Sequence, residues 1–157
     1  MRLLVLCCIF SGTQAVSLDS ILEKINPKQS VCVRGKVSCG RESPAPATLL
    51  KLWDTDRGNA DDTIATGRVD SDGFFEICGS ARDWLWGGSI DPLLEVYTKC
   101  YYDGEDASCY RRLQSEVPQD SVGKTYEYPE KIDLTKLDGD EEICFSEEEL
   151  SNYENDF

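Results

Sequence analysis

The chain has 157 residues, 30 acidic against 16 basic side chains for a formal charge of −14, eight cysteines and no histidine. That length suits one domain with a tail, and the charge argues against nucleic acid, whose phosphates are met by clustered lysine and arginine. Without histidine, Ser-His-Asp and Cys-His catalysis are excluded and the usual proton carrier near neutral pH is missing.

Arg2 precedes an apolar run, Leu3 to Phe10, that is too short to cross a bilayer, and Thr13-Gln14-Ala15 supplies a small-residue cleavage pattern. Residues 1–15 are therefore expected to be a secretory signal peptide, with a cut after Ser17 as the competitor. No later segment approaches the ~20 apolar residues of a spanning helix, so an exported protein that is not transmembrane is expected. Over residues 16–30, Leu18, Ile21, Leu22 and Ile25 keep helical spacing, Ser20 to Glu23 has the form of a capping box, and Pro27 ends the pattern. A short amphipathic helix and lead-in is predicted, docked on the body or offered to a partner.

Strand periodicity begins at Val31. Val31, Val33 and Val37 alternate with Arg34, Lys36 and Ser38, and Leu50 and Leu52 flank Lys51, while Gly40, Pro44 and Pro46 break the ladder between them. Further strands are expected at Ile64 to Val69, Phe74 to Cys78, Leu93 to Lys99, Cys109 to Glu116 and Thr125 to Leu134, with a tight turn at Asp72-Gly73. Seven strands joined by turns, without the long helical patterns of parallel βαβ units, make an all-β fold, a Greek-key-like sandwich over residues 31–144.

Between the strands lie three candidate features. Asp54-Thr55-Asp56-Arg57-Gly58-Asn59 begins like an EF-hand loop, but Gly58 stands where a ligand belongs and Ala65 replaces the bidentate glutamate; a looser calcium site from Asp54, Asp56, Asp61 and Asp62 competes with a solvated turn. Trp84 and Trp86, two apart, project to one side of an extended segment, either as packing over the end of the sandwich or as a partner contact. Arg111 and Arg112 point to opposite faces of a strand, so they form no concentrated basic patch.

Nine of the 30 acids lie between Asp138 and Phe157, where there is no lysine or arginine. Residues 145–157 are expected to be an acidic disordered tail. Once Cys7 and Cys8 leave with the signal peptide, Cys32, Cys39, Cys78, Cys100, Cys109 and Cys144 remain, an even set in an oxidising compartment. With no histidine and no CxxC pair, disulfides are favoured over zinc. Strand parity and antiparallel neighbours suggest Cys32 to Cys78, with Cys100 to Cys109 and Cys39 to Cys144 for the rest.

The ordered combination Val33-Arg34-Gly35-Lys36-Val37-Ser38-Cys39-Gly40, Leu50-Lys51-Leu52-Trp53-Asp54-Thr55-Asp56, Asp70-Ser71-Asp72-Gly73-Phe74-Phe75-Glu76-Ile77, Ile90-Asp91-Pro92, Cys100, Cys109-Tyr110-Arg111-Arg112 and Cys144 resembles the nematode transthyretin-like family. The resemblance implies a secreted, prealbumin-like (transthyretin-like) sandwich stapled by disulfides. Cys32 and Cys78 look additional to the family's four-cysteine pattern, and Thr98 and Lys99 stand where a histidine is common. The related 5-hydroxyisourate hydrolases would require histidines and a C-terminal Tyr-Arg-Gly-Ser motif, whereas this chain has no histidine and ends Tyr153-Glu154-Asn155-Asp156-Phe157. The expected function is therefore non-enzymatic, without a cofactor: binding or bridging to an extracellular protein or cell-surface partner. Carriage of a small hydrophobic ligand is the alternative.

Overall fold

The computed structural model describes residues 23–24, 26–41, 47–55, 62–82 and 88–153. Among these, nine strands form: β1 (Gln29–Ser38), β2 (Leu49–Asp54), β3 (Asp62–Arg68), β4 (Phe74–Ala81), β5 (Pro92–Thr98), β6 (Cys109–Glu116), β7 (Thr125–Glu127), β8 (Ile132–Asp133) and β9 (Asp138–Cys144). A 3-10 turn at Gln119–Ser121 and a short helix, α1 (Glu147–Ser151), complete the described elements. One sheet has the order β4-β1-β7 with β8 also pairing β1, and the other has the order β3-β2-β5-β6-β9.

Alternation sets which face each strand buries. Val31, Val33 and Val37 of β1 are buried, and they meet Leu50, Leu52, Leu94, Val96 and Leu113 of the facing sheet, with Phe75, Ile77, Ile90, Ile132 and Leu134 closing the core. Each fully buried aliphatic side chain contributes about 2 kcal/mol against exposure, so this layer is the main source of cohesion. The chain changes sheets at the turn after β3, where Gly73 takes φ 81° and Asp70 accepts from the amides of Asp72 and Phe74 at 2.9 and 2.8 Å. Beyond that turn the two sheets nearly touch: a Cβ on Gly79 of β4 would stand 2.2 Å from the Ile64 carbonyl oxygen of β3. A side chain there is excluded by backbone, which does not yield.

The sandwich departs from the expected one in two places. The single strand expected at Thr125 to Leu134 is two, because Pro129 has no amide to donate; β7 and β8 both run parallel to β1. The expected disordered tail is a folded segment as far as Tyr153. β9 pairs antiparallel with β6, and Ser146 and Glu149 form a capping box on α1. Phe145, Leu150 and Tyr153 then pack on Leu49, Tyr97 and Tyr110 of the five-stranded sheet. Of the expected N-terminal helix, Glu23 and Lys24 are helical; residues 1–22, with the signal peptide, and Ile25 lie outside the described residues, as do residues 154–157.

Three disulfides staple the fold. Cys32 and Cys78 are register partners on β1 and β4, with Cα atoms 4.1 Å apart, as parity suggested. The other two expected pairings are corrected: Cys39 joins Cys100, not Cys144, and Cys109 joins Cys144, not Cys100. β9 is the reason, since it places Cys144 directly opposite Cys109 in the ladder. Cys100, buried at the end of the core, is left facing Cys39 across the two sheets with Cα atoms 5.5 Å apart.

Candidate binding site at the disulfide end of the sandwich

The connection from β5 to β6 runs from Lys99 to Ser108 and is bound at both ends, by Cys39–Cys100 and by Cys109–Cys144. Lys99 holds the middle: its ammonium donates to the Asp106 carbonyl at 3.0 Å and to the Cys109 carbonyl, and it lies 4.6 Å and 4.4 Å from the ring centres of Tyr102 and Tyr110. The Asp106 carboxylate accepts from the Ser108 amide and hydroxyl at 2.8 and 2.7 Å, bonds that hold it below the ordinary carboxylate range. Such a loop is fixed without regular secondary structure.

Its start projects a ring into solvent. Tyr101 has φ 53° and is 73% exposed. A β-carbon in this left-handed region costs about 1 kcal/mol, and no burial of the ring offsets that cost. Beneath it Gly40, at φ 66°, leaves room: a Cβ there would stand 3.3 Å from the Tyr101 hydroxyl. The neighbouring turn is drawn in by Asp133, which accepts from the Gly40 and Thr135 amides, both at 3.1 Å, and from the Thr135 hydroxyl at 2.8 Å. The Thr135 bonds above all keep the Asp133 carboxyl below its usual range.

Arg111 and Glu142 are register partners on β6 and β9 and share strand parity with buried Leu113. They therefore face the side of the sheet that carries the core, at the end where the Tyr101 loop and the Thr135 turn replace the opposing sheet. The Arg111 guanidinium donates through Nη1 to the Cys100 carbonyl at 2.8 Å. Tyr102 donates its hydroxyl to Glu142 at 2.8 Å, which with partial desolvation pushes its pKa up to about 12. Tyr101, Tyr102, Asp103, Arg111, Thr135 and Glu142 line an open cavity of about 470 Å³. It is suited to recognition by hydrogen bonds and a ring face.

The outer face of the five-stranded sheet is occupied from within. Glu95 is 5% exposed and gathers the Trp53 indole N–H, the Tyr97 hydroxyl at 2.5 Å, the Gln114 amide at 3.2 Å and the Arg112 guanidinium at 3.6 Å. Burial, reinforced by Glu95, drives the Tyr97 phenol well above its ordinary value. Arg111 and Arg112 thus serve opposite faces, as their adjacency requires. At the other end of the sandwich, Asp54 is 1% exposed and accepts from the Asp91 amide at 2.7 Å, so it ties the entry of β5 to β2. Asp62 is its register partner. Asp56 and Asp61 of the candidate calcium loop, and Trp84 and Trp86, weighed as packing or as a partner contact, lie outside the described residues.

Sequence reasoning missed Tyr101, Tyr102 and Glu142 as site residues. A Tyr-Tyr pair directly after a bridged cysteine was the available signal, but backbone strain at Tyr101 is not written in any periodicity. The cluster of Cys109, Cys144 and Glu142 has metal-ligand composition, yet both sulfurs are committed to one disulfide.

The sequence pattern of the transthyretin-like family matches residues 34–118. Transthyretin-like protein 5 of Caenorhabditis elegans is 35% identical over 125 residues, which cover 79% of this chain and 80% of that protein. Transthyretin-like protein 33 of the same organism is 34% identical over 121 residues, covering 76% and 72%. Transthyretin-like protein 16 is 26% identical over 144 residues, covering 92% and 99%.

Proposed function

This chain belongs to the transthyretin-like family, and we propose that it is a non-catalytic extracellular binding protein that engages an extracellular or cell-surface partner through the Tyr101 end of the sandwich. The observation that carries this reading is the presentation of Tyr101: exposed, in a left-handed backbone conformation, between two disulfides and beside an open polar cavity. Backbone strain kept at an exposed side chain points to use of that side chain. Tyrosine gives a large contact area for little lost rotamer freedom, and a rigid loop loses little more on binding. Export through the signal peptide at residues 1–15 is part of the proposal, and three disulfides suit an oxidising compartment.

Carriage of a small hydrophobic ligand has less support. Among the described residues the space between the sheets is filled by the aliphatic core. A channel made by apposing the outer faces of four-stranded sheets would be lined by charge, since Arg34, Lys36, Glu76 and Glu127 occupy alternate outward positions there.

The test is capture of extracellular proteins by the immobilised oxidised protein, compared with Tyr101→Gly and with a Trp84→Ser, Trp86→Ser double variant, with bound material quantified by mass spectrometry. At least one protein should be depleted about tenfold by Tyr101→Gly. Depletion by the tryptophan variant instead would move the contact from Tyr101 to Trp84 and Trp86. Identical profiles from all three proteins would overturn the reading.

A further inference from the structure

We propose that the cavity bounded by Tyr101, Tyr102, Asp103, Arg111, Thr135 and Glu142 is a carbohydrate site that takes a neutral pyranose unit, such as the end of a glycan on an extracellular glycoprotein. This rests on the binding reading above and names its ligand class.

Charge selects the class first. Arg111 faces Glu142 across the ladder, with Asp103 on the same rim. An anion entering here meets two carboxylates, and a cation meets the guanidinium, so each would carry a repulsive contact along with its attractive one. A neutral ligand rich in hydroxyls meets neither penalty. Each hydroxyl both donates and accepts, which matches a lining of one guanidinium, two carboxylates, a threonine hydroxyl and two phenols. Planar guanidinium and carboxylate groups also offer paired donors or acceptors, and bonds in which one member is ionised are the stronger kind. The volume of about 470 Å³ lies within the range of small-ligand sites.

Tyr101 supplies what hydrogen bonds alone lack. In water, sugar hydroxyls are already satisfied, so exchange of hydrogen bonds yields little net affinity. A ring face that covers the C–H side of a pyranose adds apolar burial, and the phenol keeps a polar tip at the rim. The loop is also held before any ligand arrives. Lys99 clamps Asp106 and Cys109, Tyr102 is bonded to Glu142, and Asp133 fixes the Thr135 turn. Binding therefore orders few groups, which matters most for a ligand with a small contact area.

The experiment is an amide-shift titration of the oxidised, nitrogen-15-labelled protein with glucose, galactose, mannose and N-acetylglucosamine, and separately with inorganic phosphate and choline. At least one sugar should saturate in the millimolar range, with shifts centred on Tyr101, Tyr102, Arg111, Thr135 and Glu142. Tyr101→Gly should weaken it about tenfold at unchanged melting temperature, and Glu142→Gln should weaken it while keeping an acceptor for Tyr102. The proposal falls if no sugar shifts these amides, if phosphate or choline saturates there instead, or if Tyr101→Gly binds the sugar equally. A partner still captured through Tyr101 after enzymatic removal of its glycans would leave the binding reading standing and remove the carbohydrate assignment.

Discussion

Tyr101 and Glu95 are opposite exceptions to apolar-in, polar-out placement, an exposed ring and a buried carboxylate. Tyr101 is exposed and strained, so truncating it removes no packing and relieves its backbone. Tyr101→Gly should leave the urea midpoint within the equivalent of about 0.5 kcal/mol of the wild type, because relief of the left-handed conformation offsets the added freedom of the unfolded chain. Glu95 is buried with four donors directed at it. Glu95→Ala strands the Trp53, Tyr97 and Gln114 donors and leaves Arg112 with Glu141 alone, at a cost of about 3 kcal/mol by urea denaturation. Tyr102 gives a readout in alkali. Its phenol titrates near 12 in the folded protein against 10.0 as its ordinary value. The stabilisation it contributes is complete below the unfolded value and is lost as pH rises through the folded one. Absorbance at 295 nm, compared between wild type and Tyr102→Phe, should show one phenolate forming near pH 12 and none near pH 10 in the difference.

β9 and α1 act together as a strap. Ile143, Phe145, Leu150 and Tyr153 cover Leu49, Tyr97 and Tyr110, and Phe145 stacks edge-on to Tyr97, Tyr110 and Tyr153 with ring centres 5.0 to 5.7 Å apart. Tyr153 is 3% exposed, so Tyr153→Ala should cost about 3 kcal/mol, seen as a lowered urea midpoint. The strap depends on acidity at its hinge as well. Bonds from the Ser146 amide and hydroxyl lower the Glu149 pKa from 4.5. That contribution is whole above pH 4.5 and disappears as pH falls through the lower folded value. Protection of the Glu149 and Leu150 amides, taken relative to their intrinsic exchange rates, should therefore fall in acid before that of the β1 and β5 amides does, and Glu149→Gln should abolish the pH dependence of protection at the cap. This element was hidden in the sequence for a physical reason. Its four apolar anchors sit at intervals of two, five and three, which fit neither a strand nor a helix because the chain changes from one to the other between them. Three glutamates, two serines and an asparagine fill most of the gaps and carry the composition of a solvated tail. The strands of the core were readable because Val31, Val33 and Val37, or Leu50 and Leu52, are buried on one face while polar side chains such as Arg34, Lys36 and Lys51 take the other. The Asp72-Gly73 turn was readable too, since the left-handed glycine it needs is spelled out locally. The Tyr101 site was not, because it exists only where a loop closed by distant cysteines meets the end of another strand.

Stability of the whole sandwich turns on how distant segments are tied, and the bridge pattern tests the fold more directly than any single contact. Cys39–Cys100 joins the two sheets across 61 residues, Cys32–Cys78 spans 46 within one sheet, and Cys109–Cys144 spans 35 within the other. In the chain-entropy account each closes a loop worth about 4 kcal/mol, with little dependence on length because the cost grows as a logarithm. Equal entropic terms do not mean equal consequences. A paired Cys32→Ala, Cys78→Ala change leaves β1 and β4 joined by their ladder, and should lower the melting temperature while preserving the Tyr101 loop. Removing Cys39 and Cys100 takes out the one disulfide between the sheets among the described residues and frees the start of the Lys99 to Ser108 loop. It should lower stability by a similar amount and also erase Tyr101-dependent binding. Non-reducing peptide mapping decides whether the premise holds: fragments linking Cys39 to Cys100 and Cys109 to Cys144 are required. A Cys100–Cys109 fragment would mean that β9 does not lie on β6, and with it the strap, the Arg111–Glu142 pairing and the walls of the proposed site would be lost together.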